Sequence, residues 1–124
     1  MSILKNLFGG NVTQKGGANF WNHIEKEEDI TAAQEKSFEK TVVIFKHSTR
    51  CFISKTVLKN FENEVEHTSK DAEYYFLDLI HYRDLSNKIA EKFGVKHESP
   101  QLLVLKDGKV IKDASHQAIF TSLF

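Results

Sequence analysis

Past residue 20 the spacing of apolar residues changes several times, and each change predicts an element. "TVVIFKH" (41–47) is a β-branched and aromatic run without polar alternation. Such a run predicts a central strand covered on both faces. From Cys51 to about His67 the period lengthens, with Ile53, Val57, Phe61 and Val65 recurring every four residues and Leu58 beside them. That pattern is one buried stripe on a helix. "AEYYFLDLI" (72–80) predicts a second apolar strand, and "HESPQLLVL" (97–105) a third, entered through the only proline, Pro100. Between them "DLSNKIAEKFGV" (84–95) reads as a helix that ends at Gly94 as its C-cap. "KDGK" (106–109) is a turn with Asp-Gly at its centre, and "VIKDA" (110–114) pairs back as a hairpin strand. Upstream, "FWNHI" (20–24) alternates loosely, as a short edge strand does. "ITAAQEKSFEK" (30–40) is a helix with Asp29 as N-cap and Ile30, Ala33 and Phe38 facing in. "SHQAIFTSLF" (115–124) closes the chain as a short helix capped by Ser115.

The order is βαβαβαββα. Alternation of this kind predicts an α/β fold with parallel strands joined by helical crossovers, and the terminal hairpin makes the sheet mixed. A length of 124 residues allows one domain, here residues 20–124. "FGGNVTQKGGAN" (8–19) carries four of the six glycines, so residues 1–19 are expected to be a flexible lead-in.

Composition then removes whole classes of function. Lys plus Arg and Asp plus Glu both number 17, so no basic excess points to nucleic acid. A single cysteine forms no internal disulfide and excludes metal sites built on several thiolates. The six histidines show no metal-ligand spacing, and no metal is expected. "MSILKNLFGG" has too short an apolar patch for a signal peptide, and no run is long enough to span a membrane. A cytoplasmic location, with no membrane partner, is the expectation.

The lone thiol sits in "HSTRCFIS" (47–54), where the predicted strand ends and a helix begins. Helix N-termini present unpaired N–H groups and a partial positive charge, which favour a reactive thiolate. Ser48 or Thr49 is placed to cap that helix, and Arg50 to add positive charge. His47 is placed to act electrostatically or as a proton acceptor. A buried structural cysteine is the alternative, but polar or charged residues run right up to Cys51, which favours reactivity. Ser54 lies three residues on, where a C-x-x-C pair carries its resolving thiol. A serine there forms no disulfide; it is either a hydrogen-bond partner for the Cys51 sulfur or an ordinary polar residue of the first turn. Chemistry at Cys51 would then be monothiol, completed by an outside thiol. A cis bond at Ser99–Pro100 would free the Ser99 backbone to pair with a bound disulfide substrate. The plainer reading is a proline that begins a strand.

These blocks, "IFKHSTRCFIS" (44–54), "YRDLSNKIAEKFGVKHESPQ" (82–101) and "ASHQAI" (114–119), together resemble the bacilliredoxin-like YtxJ family, over roughly residues 20–124. The resemblance implies a thioredoxin-like fold, with a central mixed sheet flanked by helices on both faces. It implies a monothiol thiol-disulfide oxidoreductase that removes or carries a bacillithiol cap on cysteines of other proteins. Cys51 matches the nucleophile, Ser54 the position of the missing resolving thiol, and Pro100, with Ser99, the substrate-facing cis-proline. No tightly bound cofactor is implied. A low-molecular-weight thiol of the bacillithiol kind is the co-substrate, and thiolated proteins are the partners.

Two positions depart from the pattern. Phe52 stands where the family has proline, which restores an N–H near the sulfur and sets a large ring at the substrate mouth. Phe45 stands six residues ahead of the cysteine, where thioredoxins carry a buried carboxylate, leaving His47, Lys46 or solvent for proton transfer. Lys46, with Arg50, would attract the carboxylates of the small thiol, or it simply snorkels to the strand end. His97, near Pro100, lines the site or serves structure. The rival expectation is a non-catalytic thioredoxin-like binding module that uses the Ser99–Pro100 face, with Cys51 as a redox sensor.

Overall fold

The computed structural model describes residues 19–124. The expectation for residues 1–19 falls, Asn19 apart, outside them. The elements are β1 (Trp21–His23), α1 (Glu27–Lys36), β2 (Thr41–His47), α2 (Phe52–Glu66), β3 (Ala72–Asp78), α3 (Arg83–Phe93), β4 (Gln101–Lys106) and β5 (Lys109–Ser115). Two 3₁₀ turns follow, His116–Ala118 and Thr121–Leu123. The strands form one sheet in the order β1-β3-β2-β4-β5. β1 and β2 run parallel to β3, while β4 is antiparallel to both β2 and β5, so the sheet is mixed.

The period-two alternation of side chains divides the core between the two faces. Val43, Phe45, Tyr74, Phe76, Leu102 and Val104 point toward α2 and meet its stripe of Val57, Leu58, Phe61 and Val65. Val42, Ile44, Tyr75, Leu77, Leu103 and Leu105 point the other way, against Ile30 and Ala33 of α1 and Ile89 of α3. β2 is buried on both sides, which is why it reads as an unbroken apolar run.

Three expectations need correction. Asp29 is not the N-cap of α1 but its third helical residue; the helix starts at Glu27, and the Asp29 carboxylate accepts from the backbone N–H of Glu25 (2.9 Å) and Lys26 (3.1 Å). Phe38 does not face the core: α1 has ended, and the ring is 63% exposed. It covers the hairpin turn instead, where Asp107 (φ 53°) and Gly108 (φ 82°) take the paired positive φ values of a type I′ turn. A Cβ on Gly108 would fall 2.5 Å from Phe38 Cζ, but that exposed ring can swing aside, so it is the positive φ that calls for glycine there. The third correction concerns the C-terminus, which is two 3₁₀ turns rather than one helix; Ser115 is the N-cap of the first, without a side-chain capping bond. Ser115 still pairs with Gln101 in β5, and the chain turns at His116 (φ 56°). The two 3₁₀ turns then run along α2, with Ile119 buried in the core and the Thr121 N–H donating to Glu64 Oε1 at 2.9 Å.

Candidate functional site

β2 delivers the chain to the thiol through a tight turn. The Cys51 N–H donates to the Ser48 carbonyl at 3.2 Å, which leaves Thr49 and Arg50 exposed at the tip. Cys51 is itself the N-cap of α2, so neither Ser48 nor Thr49 caps the helix. Its backbone is extended (φ −112°, ψ 121°), and its carbonyl accepts the first helical bond, from Lys55 N–H at 3.1 Å. The side chain is half-exposed at the positive end of a 15-residue helix.

Ser54 is fully buried, and its hydroxyl is engaged away from the thiol. Oγ accepts from the Ser48 N–H at 3.0 Å and lies 2.9 Å from His47 Nδ1. One proton and two lone pairs serve both contacts, so this serine fastens the turn that carries Cys51 to the first turn of α2. His47 is likewise turned to Ser54 rather than to the sulfur. Burial pushes its pKa down, Asp78 partly opposes this, and Lys55 adds to it, so the imidazole is neutral at pH 7.

Lys46 neither snorkels to solvent nor offers a charge at the surface. It is completely buried, and Nζ donates to the Ser86 carbonyl of α3 at 3.1 Å and approaches His97 Nδ1 at 3.5 Å. Burial, with a smaller push from Arg83, lowers its pKa from 10.5 to about 8. Below about 8 the fold therefore holds an ammonium that water would hold more cheaply. Between about 8 and 10.5 the unfolded chain keeps the proton that the native state has lost, so stability rises with pH. Lys46→Met is expected to raise stability at pH 7 by about 2–3 kcal/mol, and the advantage should shrink as pH approaches 10. Urea denaturation of both proteins at pH 7 and pH 10 checks this.

The Ser99–Pro100 peptide is cis, with Pro100 buried and Ser99 and His97 half-buried. The last β2–β4 pair is Lys46 with Gln101. One step further along the same antiparallel register puts Pro100 beside His47, next to the turn that carries Cys51. Phe52, at the head of α2, is 80% exposed. It borders a mixed groove of about 480 Å³ between α2 and the C-terminal turns, where Ile53, Val57, Ile119 and Phe120 alternate with polar residues such as Asn60 and Glu64. Among the described residues no three His, Cys, Asp or Glu side chains are placed to hold a metal, and no helix is long and apolar enough to cross a membrane.

The family described as monothiol bacilliredoxin BrxC matches residues 22–123, from β1 to the last 3₁₀ turn. The chain belongs to the monothiol bacilliredoxin family. Among solved structures, a candidate oxidoreductase with a thioredoxin fold is 30% identical to this bacilliredoxin-family chain, with a TM-score of 0.72 over 83% of this chain and 88% of its own. Thioredoxin from Malassezia sympodialis (22% identity, TM-score 0.63, 85% and 84% covered) shares the fold. So does thioredoxin f2, solved with ferredoxin:thioredoxin reductase (20% identity, TM-score 0.63, 83% and 87% covered). The fold of this bacilliredoxin is thus thioredoxin-like, and its function is thiol redox chemistry.

Proposed function

We propose that this bacilliredoxin is a monothiol oxidoreductase that takes a bacillithiol-type cap from protein cysteines onto Cys51. The observation that carries this reading is a half-exposed thiol at the N-terminus of a long helix in a chain with no second cysteine. The Cys51 thiolate attacks the outer sulfur of the protein–S–S–thiol bond. That bond breaks, the electron pair leaves with the protein cysteine, and a new disulfide joins Cys51 to the small thiol. A second small thiolate then attacks the small-thiol sulfur of that adduct. Cys51 leaves as thiolate, and the small-molecule disulfide is released. Electrons are conserved, because each step exchanges one disulfide for another.

The cis Ser99–Pro100 peptide, just before the Lys46–Gln101 pair, supports the reading as the edge with which an extended substrate would pair. Arg50, exposed at the turn tip, is the cation for the carboxylates of the small thiol. Ser54 and His47 hold the turn, and Thr49 and Phe52 border the approach.

Incubation of reduced protein with oxidised bacillithiol near pH 7, followed by intact mass measurement, is expected to show one adduct, mapped to Cys51. A chain that stays unmodified would remove the catalytic reading and leave the binding-module alternative. Oxidised glutathione in a parallel incubation reports how far the site selects its small thiol.

A further inference from the structure

Two buried polar side chains on the far face of the sheet are not used by the exchange chemistry. Lys46 and Gln101 are cross-strand partners at the ends of β2 and β4, and both are fully buried. Each reaches the same short segment. Gln101 Nε2 donates to the Lys96 carbonyl at 2.9 Å. Lys46 Nζ approaches His97 Nδ1, which also lies 3.2 Å from Ser86 Oγ. In the neutral imidazole with its proton on Nε2, Nδ1 is free to accept from the ammonium, which has protons only to give. The other end of the segment is fixed where the Pro100 carbonyl accepts from the His116 N–H at 3.1 Å. Residues 96–100 are therefore held at both ends, and near their start by Gln101 of β4 and by Lys46 of β2, the strand that leads to Cys51.

A fully buried lysine without a carboxylate partner is unfavourable for folding. Its placement is explained by what it holds. We infer that Lys46 is a positioning residue, which through His97 and Ser86 fixes the 96–100 segment relative to β2 so that the Ser99 backbone meets a polypeptide docked at Cys51. This rests on the exchange reading above and adds a residue that touches no substrate. The strut needs a neutral His97. Burial disfavours its charged form, Lys46 from β2 and Arg83 from α3 face it as cations, and Glu98 of its own segment opposes them. Protonation of His97 removes the acceptor and sets a second cation against Lys46, so the strut opens in acid.

The test compares wild type, Lys46→Met, His97→Asn and His97→Leu. Asn places an oxygen where Nδ1 sits but takes no proton. The assay is reduction of a reporter protein whose single cysteine carries bacillithiol, with iodoacetamide alkylation of Cys51 measured alongside, since that reagent needs no docked polypeptide. Lys46→Met and His97→Leu are expected to lose roughly tenfold in kcat/KM for the reporter, mainly through KM, with alkylation within about twofold of wild type. Wild-type kcat/KM divided by the Cys51 alkylation rate at the same pH, a ratio that removes the titration of the attacking thiolate, should show an acid limb as His97 gains its proton. His97→Asn should keep most of the neutral-pH activity and lose that acid limb. Wild-type kinetics in Lys46→Met, or an unchanged acid limb in His97→Asn, overturns the strut while leaving the exchange reading intact. Absence of any adduct on wild-type Cys51 fails the exchange reading first, and the two failures are distinct.

Discussion

Cys51→Ser is expected to abolish adduct formation and mixed-disulfide reduction altogether, while stability stays within about 0.5 kcal/mol of wild type. Loss should be total because the sequence holds no second cysteine to take over. A serine hydroxyl is a far weaker nucleophile than a thiolate at neutral pH. Stability should persist because the position is half-exposed and is the N-cap of α2, where serine is a favoured residue. Among the described residues the sulfur itself takes part in no hydrogen bond; the bonds of Cys51 are made by its backbone. Intact mass after exposure to oxidised bacillithiol, with a urea melt on the same sample, gives both numbers. Retained transfer would show that another group does the chemistry, and a collapsed fold would show that Cys51 is structural.

Ser54→Ala is expected to destabilise the protein by about 2–4 kcal/mol, far more than its size suggests. The serine is fully buried, and removing Oγ leaves the Ser48 N–H and His47 Nδ1 facing an apolar methyl. Each buried polar group stranded in this way costs about 1–3 kcal/mol, and the two share one partner, so the sum is less than additive. His47 also packs on Phe76 at a ring separation of 5.6 Å, which holds the imidazole toward the vacated position. Urea denaturation should show a lower midpoint with an unchanged slope. A change below about 1 kcal/mol would mean that water replaces the hydroxyl and that the staple is unimportant. The same variant also measures how well the turn must be fixed for Cys51 to react, since any fall in alkylation rate then follows from turn mobility alone.

The course of β2, α2, β3 and α3 was legible from hydrophobic period, because each has a buried face and period is set by burial. The hairpin was legible from Asp-Gly, since few other pairs accept two positive φ values. The C-terminal turns were not. Their path is set by Ser115 staying in the ladder and by Ile119 finding the core, which are contacts distant in sequence. The thiol site divides in the same way. Its position at a strand-to-helix junction follows from local pattern, and so does the absence of a resolving thiol. The partners of Ser54, His47 and Lys46 do not, because a polar letter in sequence does not say whether it meets solvent or another element. Lys46 did carry one signal: a cation inside an otherwise apolar strand is unusual enough to suggest a buried partner, and α3 supplies it.

The extended backbone at Cys51 has one further consequence. The sulfur hangs outside the helical ladder, and only the residue's carbonyl belongs to it. Cargo on the sulfur therefore leaves every helical hydrogen bond in place. Loaded and empty protein should have indistinguishable circular dichroism, so the charge state of this carrier is visible to mass and to thiol reagents but silent to any probe of secondary structure.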